Sequence, residues 1–230
     1  MAKQKKAAAT SSGQLHVLNN DSPFAVVEAY KALRTNVLFS LPDSGTKCIG
    51  VTSATKGEGK SSTALNLAIS FAQIGKKTLI IDCDMRLPTI ASKLGIPGVP
   101  GLSDILVKEG NVSTALRQIG ELGITVLPSG TIPPDPTYLL ESHRMKALME
   151  ILRKYFEIII VDLPPVNSVA DAAILAQQLD GFLLVVRHGV AEYREVSSML
   201  SQLRLTNAKI LGLVYNDAPV TGKSYYKHYY

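Results

Sequence analysis

A phosphate-binding loop is the feature that most constrains what this chain can fold into. Residues 49–53 are mostly apolar or β-branched, which is typical of a buried strand. Residues 54–59 form a loop rich in small residues, and a helical pattern begins at Lys60-Ser61. This order of strand, glycine-containing loop and helix is the setting that a P-loop requires. The full pattern has glycine six residues before the lysine, where this chain has Ala54. A strand-to-helix turn with an incidental Lys-Ser is the alternative, and the flanking context disfavours it.

Each part of this loop has an expected role in holding a nucleotide. The glycines let the backbone turn its N–H groups toward phosphate oxygens, and the helix dipole favours negative charge at the same place. Lys60 can reach the β- and γ-phosphates, and the Ser61 hydroxyl can ligate Mg²⁺. The residues predicted to contact the nucleotide here are Thr55, Lys56, Gly57, Glu58, Gly59, Lys60, Ser61 and Ser62.

Two later apolar strands end in aspartate. Residues 78–81 lead into Asp82 and Asp84, and residues 157–161 lead into Asp162. Ligands of open α/β sheets bind at the carboxyl ends of the strands, so these carboxylates are expected to face the phosphates and a metal ion. Asp162 has the position of a Walker B aspartate, which holds Mg²⁺ or its water opposite the P-loop serine. Acids in surface loops are the alternative.

The composition is that of one domain with an ample apolar core. Of the 230 residues 46% are hydrophobic, and a net charge of +5 is too small to indicate nucleic-acid binding. The two cysteines, Cys48 and Cys83, adjoin predicted strands without CxxC spacing, which favours buried thiols in a reducing compartment over a metal site. We expect neither a membrane span nor a signal peptide. A cytoplasmic location follows, with any membrane role through a partner.

The pattern predicts an α/β fold with a P-loop NTPase-type, mostly parallel sheet flanked by helices. Flexible tails are expected at 1–20 and 218–230 around one domain at 21–217. The first helix would span 23–39, capped by Asp21 or Ser22. The other predicted helices are 61–74, 104–108, 112–118, 142–155 with Ser142 as cap, 168–179 and 193–205, and the other predicted strands are 124–127, 181–186 and 209–215.

Several polar residues outside these motifs allow more than one interpretation. Glu28, Lys31 and Arg34 could be a solvated helix face or a contact surface for a neighbouring subunit. Asn216 could offer its amide to a base edge or form a turn. The C-terminal tyrosines could be an aromatic docking patch, stacking residues for nucleic acid, or phosphate acceptors on a flexible tether. These tyrosines are Tyr225, Tyr226, Tyr229 and Tyr230.

The two strand-end motifs and the tyrosine tail resemble those of a known family. Residues 79–86, LIIDCDMR, fit its Walker A′ pattern of three apolar residues and D-x-D-x-R, and residues 159–165, IIVDLPP, fit its Walker B pattern. The family is the bacterial tyrosine kinases that control capsular and exopolysaccharide synthesis, in the form with a separate cytoplasmic kinase subunit. Glu28, Lys31 and Arg34 resemble its E-x-x-R-x-x-R motif for ring-like self-association, with lysine in place of the middle arginine. Lysine lacks the bidentate fork of arginine, which weakens that contact.

The resemblance covers nearly the whole chain from about residue 21 and implies a MinD/ParA-like, deviant Walker fold. It implies ATP-dependent phosphorylation of tyrosine with Mg²⁺, chiefly on the chain's own tail in trans. Asp82 is the expected base, with Asp84 as the rival, and Arg86 and Arg187 are lesser candidates for phosphate or substrate contacts. The implied catalytic residues are Lys60, Asp82, Asp84 and Asp162, and the implied metal ligands are Ser61, Asp84 and Asp162.

The resemblance also implies partners. One is a membrane-embedded polysaccharide co-polymerase, whose cytosolic tail recruits the kinase to the inner face of the membrane. The others are further copies of this chain in a ring-like homo-oligomer and a cognate tyrosine phosphatase. No nucleic acid is expected as a partner. The alternative is a MinD/ParA-like ATPase acting in positioning or partition. Such ATPases carry a signature lysine at the second P-loop position, where this chain has Thr55 and then Lys56. They also end in an amphipathic membrane helix, whereas this tail has no apolar periodicity. Both differences favour the kinase.

Overall fold

The computed structural model describes residues 17–19, 21–107 and 111–219. The tail tyrosines lie outside these ranges, and the predicted domain boundaries stay a prediction. Within the described ranges, no helix combines the length and apolar character that crossing a bilayer would require.

In this part of the chain, seven strands form one sheet in which every neighbouring pair but one is parallel. The strands are β1 (Lys47–Ser53), β2 (Thr78–Asp82), β3 (Arg117–Ile119), β4 (Ile124–Leu127), β5 (Ile158–Asp162), β6 (Gly181–Arg187) and β7 (Ile210–Asn216). The α-helices are α1 (Phe24–Ser40), α2 (Lys60–Ala72), α3 (Ile90–Leu94), α4 (Leu102–Val107), α5 (Pro136–Glu141), α6 (His143–Tyr155), α7 (Asp171–Leu175) and α8 (Tyr193–Leu205). The strand order is β3-β4-β2-β5-β1-β6-β7, with β3 antiparallel to β4.

The strand order brings the three predicted motifs to one edge of the sheet. Strand β5 lies between β1 and β2, and it sets Asp162 in register with Val51 of β1 and Asp82 of β2. The P-loop leaves β1 at the same carboxyl end. The carboxyl ends of β2 and β5 therefore lie beside the carboxyl end of β1, from which the phosphate loop begins.

Helices cover both faces of the sheet, which explains the continuous apolar runs in its central strands. Along β5, Ile158 and Ile160 pack in the core under α1 and α2, while Ile159 and Val161 pack in the core under α4 to α8. Side chains alternate between the two faces of a strand, so a strand covered on both faces has apolar residues throughout. Burial of each such side chain stabilises the fold by roughly 1.5–3 kcal/mol.

Some predicted helices differ from the observed elements. The predicted helix at 112–118 is wrong: Val112–Thr114 forms one turn of 3₁₀ helix, and residues 117–119 form β3 because their backbone pairs with β4. The predicted helix at 168–179 is too long. Its start is a turn, in which the Ser168 N–H donates to the Pro165 carbonyl, and its end is a 3₁₀ helix. The short helices α3 and α5 lie where neither a helix nor a strand was predicted.

One of the two predicted helix caps is confirmed. The Ser142 hydroxyl accepts a hydrogen bond from the Met145 N–H at 3.2 Å, which caps α6. Neither Asp21 nor Ser22 caps α1. Pro23 holds the N-cap position without a side-chain hydrogen bond, and the Ser22 hydroxyl donates to Asn19 instead.

Both cysteines are buried free thiols, as predicted. Burial raises the pKa of the Cys48 thiol to about 12 and also raises the pKa of Cys83. The thiolate is the reactive form, so both side chains are inert at neutral pH.

Candidate active site

The loop between β1 and α2 is shaped by two glycines with positive φ. Gly57 has φ +88° and Gly59 has φ +92°, a backbone conformation that favours glycine. A Cβ on Gly59 would lie 2.2 Å from Nδ2 of Asn216, whereas nothing lies within 4 Å of a Cβ on Gly57. Its backbone conformation therefore favours glycine at 59, and a larger residue there would also displace the Asn216 amide.

The buried carboxylate of Glu58 stabilises the loop through hydrogen bonds. Glu58 has no exposed surface, and its Oε1 accepts a hydrogen bond from the Thr55 N–H at 2.6 Å. Its Oε2 accepts from the Arg187 N–H at 3.3 Å. The Thr55 amide is thus engaged within the loop, and Glu58 shapes the loop through its side chain. The P-loop pattern allows any residue at position 58, so the sequence held no signal for this brace.

The last residues of β6 and β7 contact the loop from the other side. The Asn216 side-chain amide donates to the Glu58 carbonyl at 2.9 Å. The Arg187 guanidinium donates to the Gly57 carbonyl at 3.2 Å and pairs with Asp217 at 3.0 Å. Both residues predicted from the strand ends therefore lie at the P-loop and fix its backbone. The predicted contact of Asn216 with a base stays a prediction.

Lys60 is the cationic centre of an acidic cluster. Its Nζ lies 2.7 Å from Oδ2 of Asp84 and 3.7 Å from Oδ1 of Asp162, and it is 3.3 Å from the Ser61 hydroxyl. Burial lowers the pKa of the Lys60 ammonium, but the charges of Asp162 and Asp84 outweigh burial and raise it overall. The lysine therefore stays charged and joins the ends of β2 and β5 to the start of α2.

Asp82 anchors the segment that follows β2. It has no exposed surface, its Oδ1 accepts from the Asp84 N–H at 3.2 Å, and its Oδ2 accepts from the N–H groups of Thr89 and Ile90 at 3.1 and 3.0 Å. Burial, followed by the charge of Asp162, raises the pKa of Asp82 to about 7. This carboxyl group can bind and release a proton near neutral pH.

Asp162 has the environment of a metal ligand. It has no exposed surface, and neither of its oxygens accepts a hydrogen bond of ordinary geometry from the described residues. Burial raises its pKa to about 6, although Lys60 and the Ser61 hydroxyl lie near enough to lower it. A buried carboxylate without hydrogen bonds calls for a specific explanation, and a divalent cation between Asp162 and Ser61 would provide one.

The donor set suits Mg²⁺ better than a metal caged by protein alone. Among residues 17–19, 21–107 and 111–219, no three histidine, cysteine or acidic side chains group closely enough to hold a metal ion by themselves. Mg²⁺ typically binds one or two carboxylates and takes its other ligands from water and substrate phosphates. Asp162, Ser61 and Asp84 fit that pattern, and Asp84 would have to exchange Lys60 for the metal.

The raised pKa values predict how stability depends on pH when nucleotide and metal are absent. In the unfolded chain both carboxyls titrate near 3.8, but in the folded chain Asp82 titrates near 7 and Asp162 near 6. The folded state therefore binds more protons between these values, and its stability should rise by about 4 kcal/mol as the pH falls from about 8 to about 5, with the larger share from Asp82. Denaturant unfolding at three pH values measures this. Asp162→Asn should flatten the profile, and a wild-type stability that falls over the same range would contradict the prediction.

The residues predicted for self-association lie apart from this cluster. Glu28 and Lys31 form an exposed ion pair at 2.8 Å with each other. The Arg34 guanidinium donates to the Ser70 carbonyl of α2 at 2.6 Å, so it is used within the chain. Their role between subunits stays a prediction.

A cleft of about 490 Å³ opens beside the P-loop, and Lys60, Ser61 and Asp84 are among the predicted residues that line it. Asp82 and Asp162 are buried behind this lining and are not part of it. Arg86 lies on its rim, where its Nε is 3.7 Å from Asp171 and its guanidinium donates to Thr137 at 3.2 Å. Lys93 of α3 also lines the cleft, and its Nζ donates to the Ser62 hydroxyl at 3.1 Å. Sequence reasoning missed Lys93 because α3 itself was not predicted. The other lining residues include Lys56, Gly57, Gly59, Leu87, Thr89, Pro164, Pro165, Ser168, Val169 and Arg187.

The chain is similar to proteins of known class. A model for an AAA domain matches residues 46–210. Tyrosine-protein kinase YwqD of Bacillus subtilis is 39% identical over 202 residues, which cover 88% of this chain and 85% of that protein. Tyrosine-protein kinase wzc of Salmonella typhi is 31% identical over 94% of this chain, a stretch that makes up 30% of that protein.

Solved structures agree with the sequence relatives. The kinase domain of the Escherichia coli tyrosine kinase ETK is similar with a TM-score of 0.85 and 29% identity, covering 99% of this chain and 89% of that one. A cobyrinic acid a,c-diamide synthase from Mycobacterium smegmatis, 20% identical with a TM-score of 0.64 over 74% of each chain, shares the fold alone. The predicted fold, a mostly parallel α/β sheet of the P-loop NTPase type, is confirmed.

Proposed function

The chain belongs to the AAA domain family and, within it, to the bacterial tyrosine-protein kinases, and from this we propose that it transfers the γ-phosphoryl group of ATP to tyrosine. The observation that carries the proposal is the buried carboxylate of Asp162, which lacks hydrogen bonds in the described chain and faces Lys60 at 3.7 Å beside the P-loop. Phosphoryl transfer needs chiefly positioning and charge stabilisation, and this cluster supplies both.

Lys60 and the amino end of α2 would hold the phosphates. The first N–H groups of an α-helix have no partner within the helix, and the helix dipole favours negative charge at the same end. In this structure the Lys60 ammonium is 2.7 Å from Asp84, and a phosphate chain at the start of α2 would compete with that carboxylate for it. Mg²⁺ held by Asp162, Ser61 and Asp84 would neutralise charge on the transferred group.

The reaction is a single displacement at phosphorus. The tyrosine oxygen attacks the γ-phosphorus, the bond to the bridging oxygen of ADP breaks, and the phenolic proton passes to a carboxylate. We propose Asp82 as that base because its pKa is raised to about 7, with Asp84, which lines the cleft, as the rival. Asp82 has no exposed surface, so a tyrosine can reach it only if residues 83–90 shift.

The proposed substrates are the four tail tyrosines, phosphorylated in trans within a ring-like homo-oligomer. Glu28 and Lys31 are exposed enough to meet a second copy, whereas Arg34 would first have to leave Ser70. By family, the proposed role is control of capsular or exopolysaccharide synthesis at the inner face of the membrane. The proposed partners are a membrane-embedded co-polymerase and a cognate tyrosine phosphatase.

The names of the relatives favour the kinase over a MinD/ParA-like ATPase, and one assay separates the two. The protein is incubated with Mg²⁺ and ATP labelled at the γ-phosphate, and label on protein is compared with phosphate released. We expect label on tyrosine with little free phosphate. Steady phosphate release from protein that stays unlabelled would favour the ATPase and overturn the kinase.

A further inference from the structure

The cations that line the nucleotide cleft differ in whether a carboxylate already neutralises them. Lys60 pairs with Asp84, Arg86 faces Asp171 at 3.7 Å, and Arg187 pairs with Asp217. Lys56 is exposed to solvent. The remaining cleft cation is Lys93, and in the described part of the chain its Nζ bonds the hydroxyl of Ser62 and lies near no carboxylate at ion-pair distance.

Lys93 is therefore a partly buried charge without a carboxylate at ion-pair distance among the described residues. Burial lowers the pKa of its ammonium, the charge of Lys60 adds to that effect, and Asp162 opposes it. A charge removed from water is costly unless an opposite charge or strong hydrogen bonds compensate it. An anion in the cleft would compensate it.

The residue that precedes α3 carries a second polar group that has no partner in the described chain. Thr89 is the N-cap residue of α3, four residues before Lys93, and both line the cleft. The Thr89 hydroxyl is buried without a hydrogen-bond partner among the described residues. Lys93 thus reaches the start of α2 at Ser62, which follows directly after Lys60 and Ser61, and Thr89 lines the same cleft.

We propose that Lys93 is a second phosphate-binding lysine, which donates from α3 to an oxygen of the ATP phosphate chain while Lys60 reaches the chain from the P-loop. The Thr89 hydroxyl is an additional donor to the same chain. This role of Lys93 rests on the proposed function, because it takes ATP to be the ligand of the cleft. It places one wall of the phosphate site on a short helix outside the Walker motifs.

Direct nucleotide binding tests this role without relying on turnover. Affinities for Mg–ATP, Mg–ADP and adenosine are measured for wild type, Lys93→Met and Lys146→Met, in which an exposed lysine of α6 is removed as a matched control. Because Lys93→Met loses a charge-assisted hydrogen bond, its affinity for Mg–ATP should be about tenfold or more lower than that of wild type. Adenosine has no phosphate, so its affinity should not change. Thr89→Val should weaken Mg–ATP binding by a smaller factor.

Three results would overturn the proposal. Lys93→Met could bind Mg–ATP as tightly as wild type does, it could lose adenosine and ATP affinity equally, or Lys146→Met could show the same loss. Wild type that fails to bind Mg–ATP at all would refute the proposed kinase function as well. If wild type and Lys93→Met bind Mg–ATP with the same affinity, only the role of Lys93 is refuted.

Discussion

Lys60→Met should lower the rate of tyrosine phosphorylation by about a thousandfold or more. Methionine keeps the length of the side chain but removes the charge that lies 2.7 Å from Asp84 and 3.7 Å from Asp162. Without that charge, the negative phosphoryl group would approach buried carboxylates with no cation from the loop between them. The initial rate of label transfer from γ-labelled ATP measures the effect.

The same substitution should destabilise the protein in a pH-dependent way. Breaking a buried ion pair leaves its carboxylates uncompensated, at a cost of about 3 kcal/mol. The cost should shrink at mildly acidic pH, where the carboxylates are protonated instead. Lys60→Arg keeps the charge and should retain most of the stability, which separates loss of folding from loss of chemistry. Lys146→Met, on the exposed face of α6, should change neither property. A Lys60→Met rate within about tenfold of wild type would contradict the assigned role.

Replacing the four tail tyrosines by phenylalanine should remove about 99% of the phosphate transferred to the protein. The reason is local concentration, because a tether can raise the effective concentration of its residues about 100-fold or more over untethered ones. The site itself is unchanged, so the variant should bind Mg–ATP as wild type does. Mass spectrometry of labelled peptides measures the site and extent of phosphorylation.

The chain offers a matched control in the exposed tyrosines of its folded part. The side chains of Tyr138 and Tyr193 are 71% and 86% exposed. A Tyr138→Phe, Tyr193→Phe variant should be phosphorylated as wild type is. If label instead persists in the tail variant and disappears in this control, the acceptors lie on the folded surface and the proposed tail substrate is wrong.

The parts of the site that are formed by residues close together in sequence could be predicted from the sequence alone. The loop at 54–59 and the aspartates at the ends of β2 and β5 could be predicted from apolar runs that end in particular residue types. The topology of a parallel sheet then brings the strand ends together, which the register of Asp82 with Asp162 confirms.

Contacts between distant residues could not be predicted in the same way. Glu58 braces the loop through Arg187, and Lys93 meets Ser62, only because particular strands and helices are neighbours in space. The predicted helix at 112–118 failed for the same reason, since pairing with β4 outweighs the local preference of residues 117–119. The backbone hydrogen bonds to Asp82 likewise depend on how the segment after β2 folds back.

Mixing two inactive chains tests the central claim most directly. One chain carries the intact P-loop and four tail phenylalanines, and the other carries Lys60→Met and the four native tyrosines. Neither should label itself with γ-labelled ATP and Mg²⁺. The mixture should place phosphate on the tail tyrosines of the Lys60→Met chain, because one copy would supply the site and the other the acceptor. A mixture that stays unlabelled, while wild type is labelled under the same conditions, would contradict phosphorylation in trans by this site.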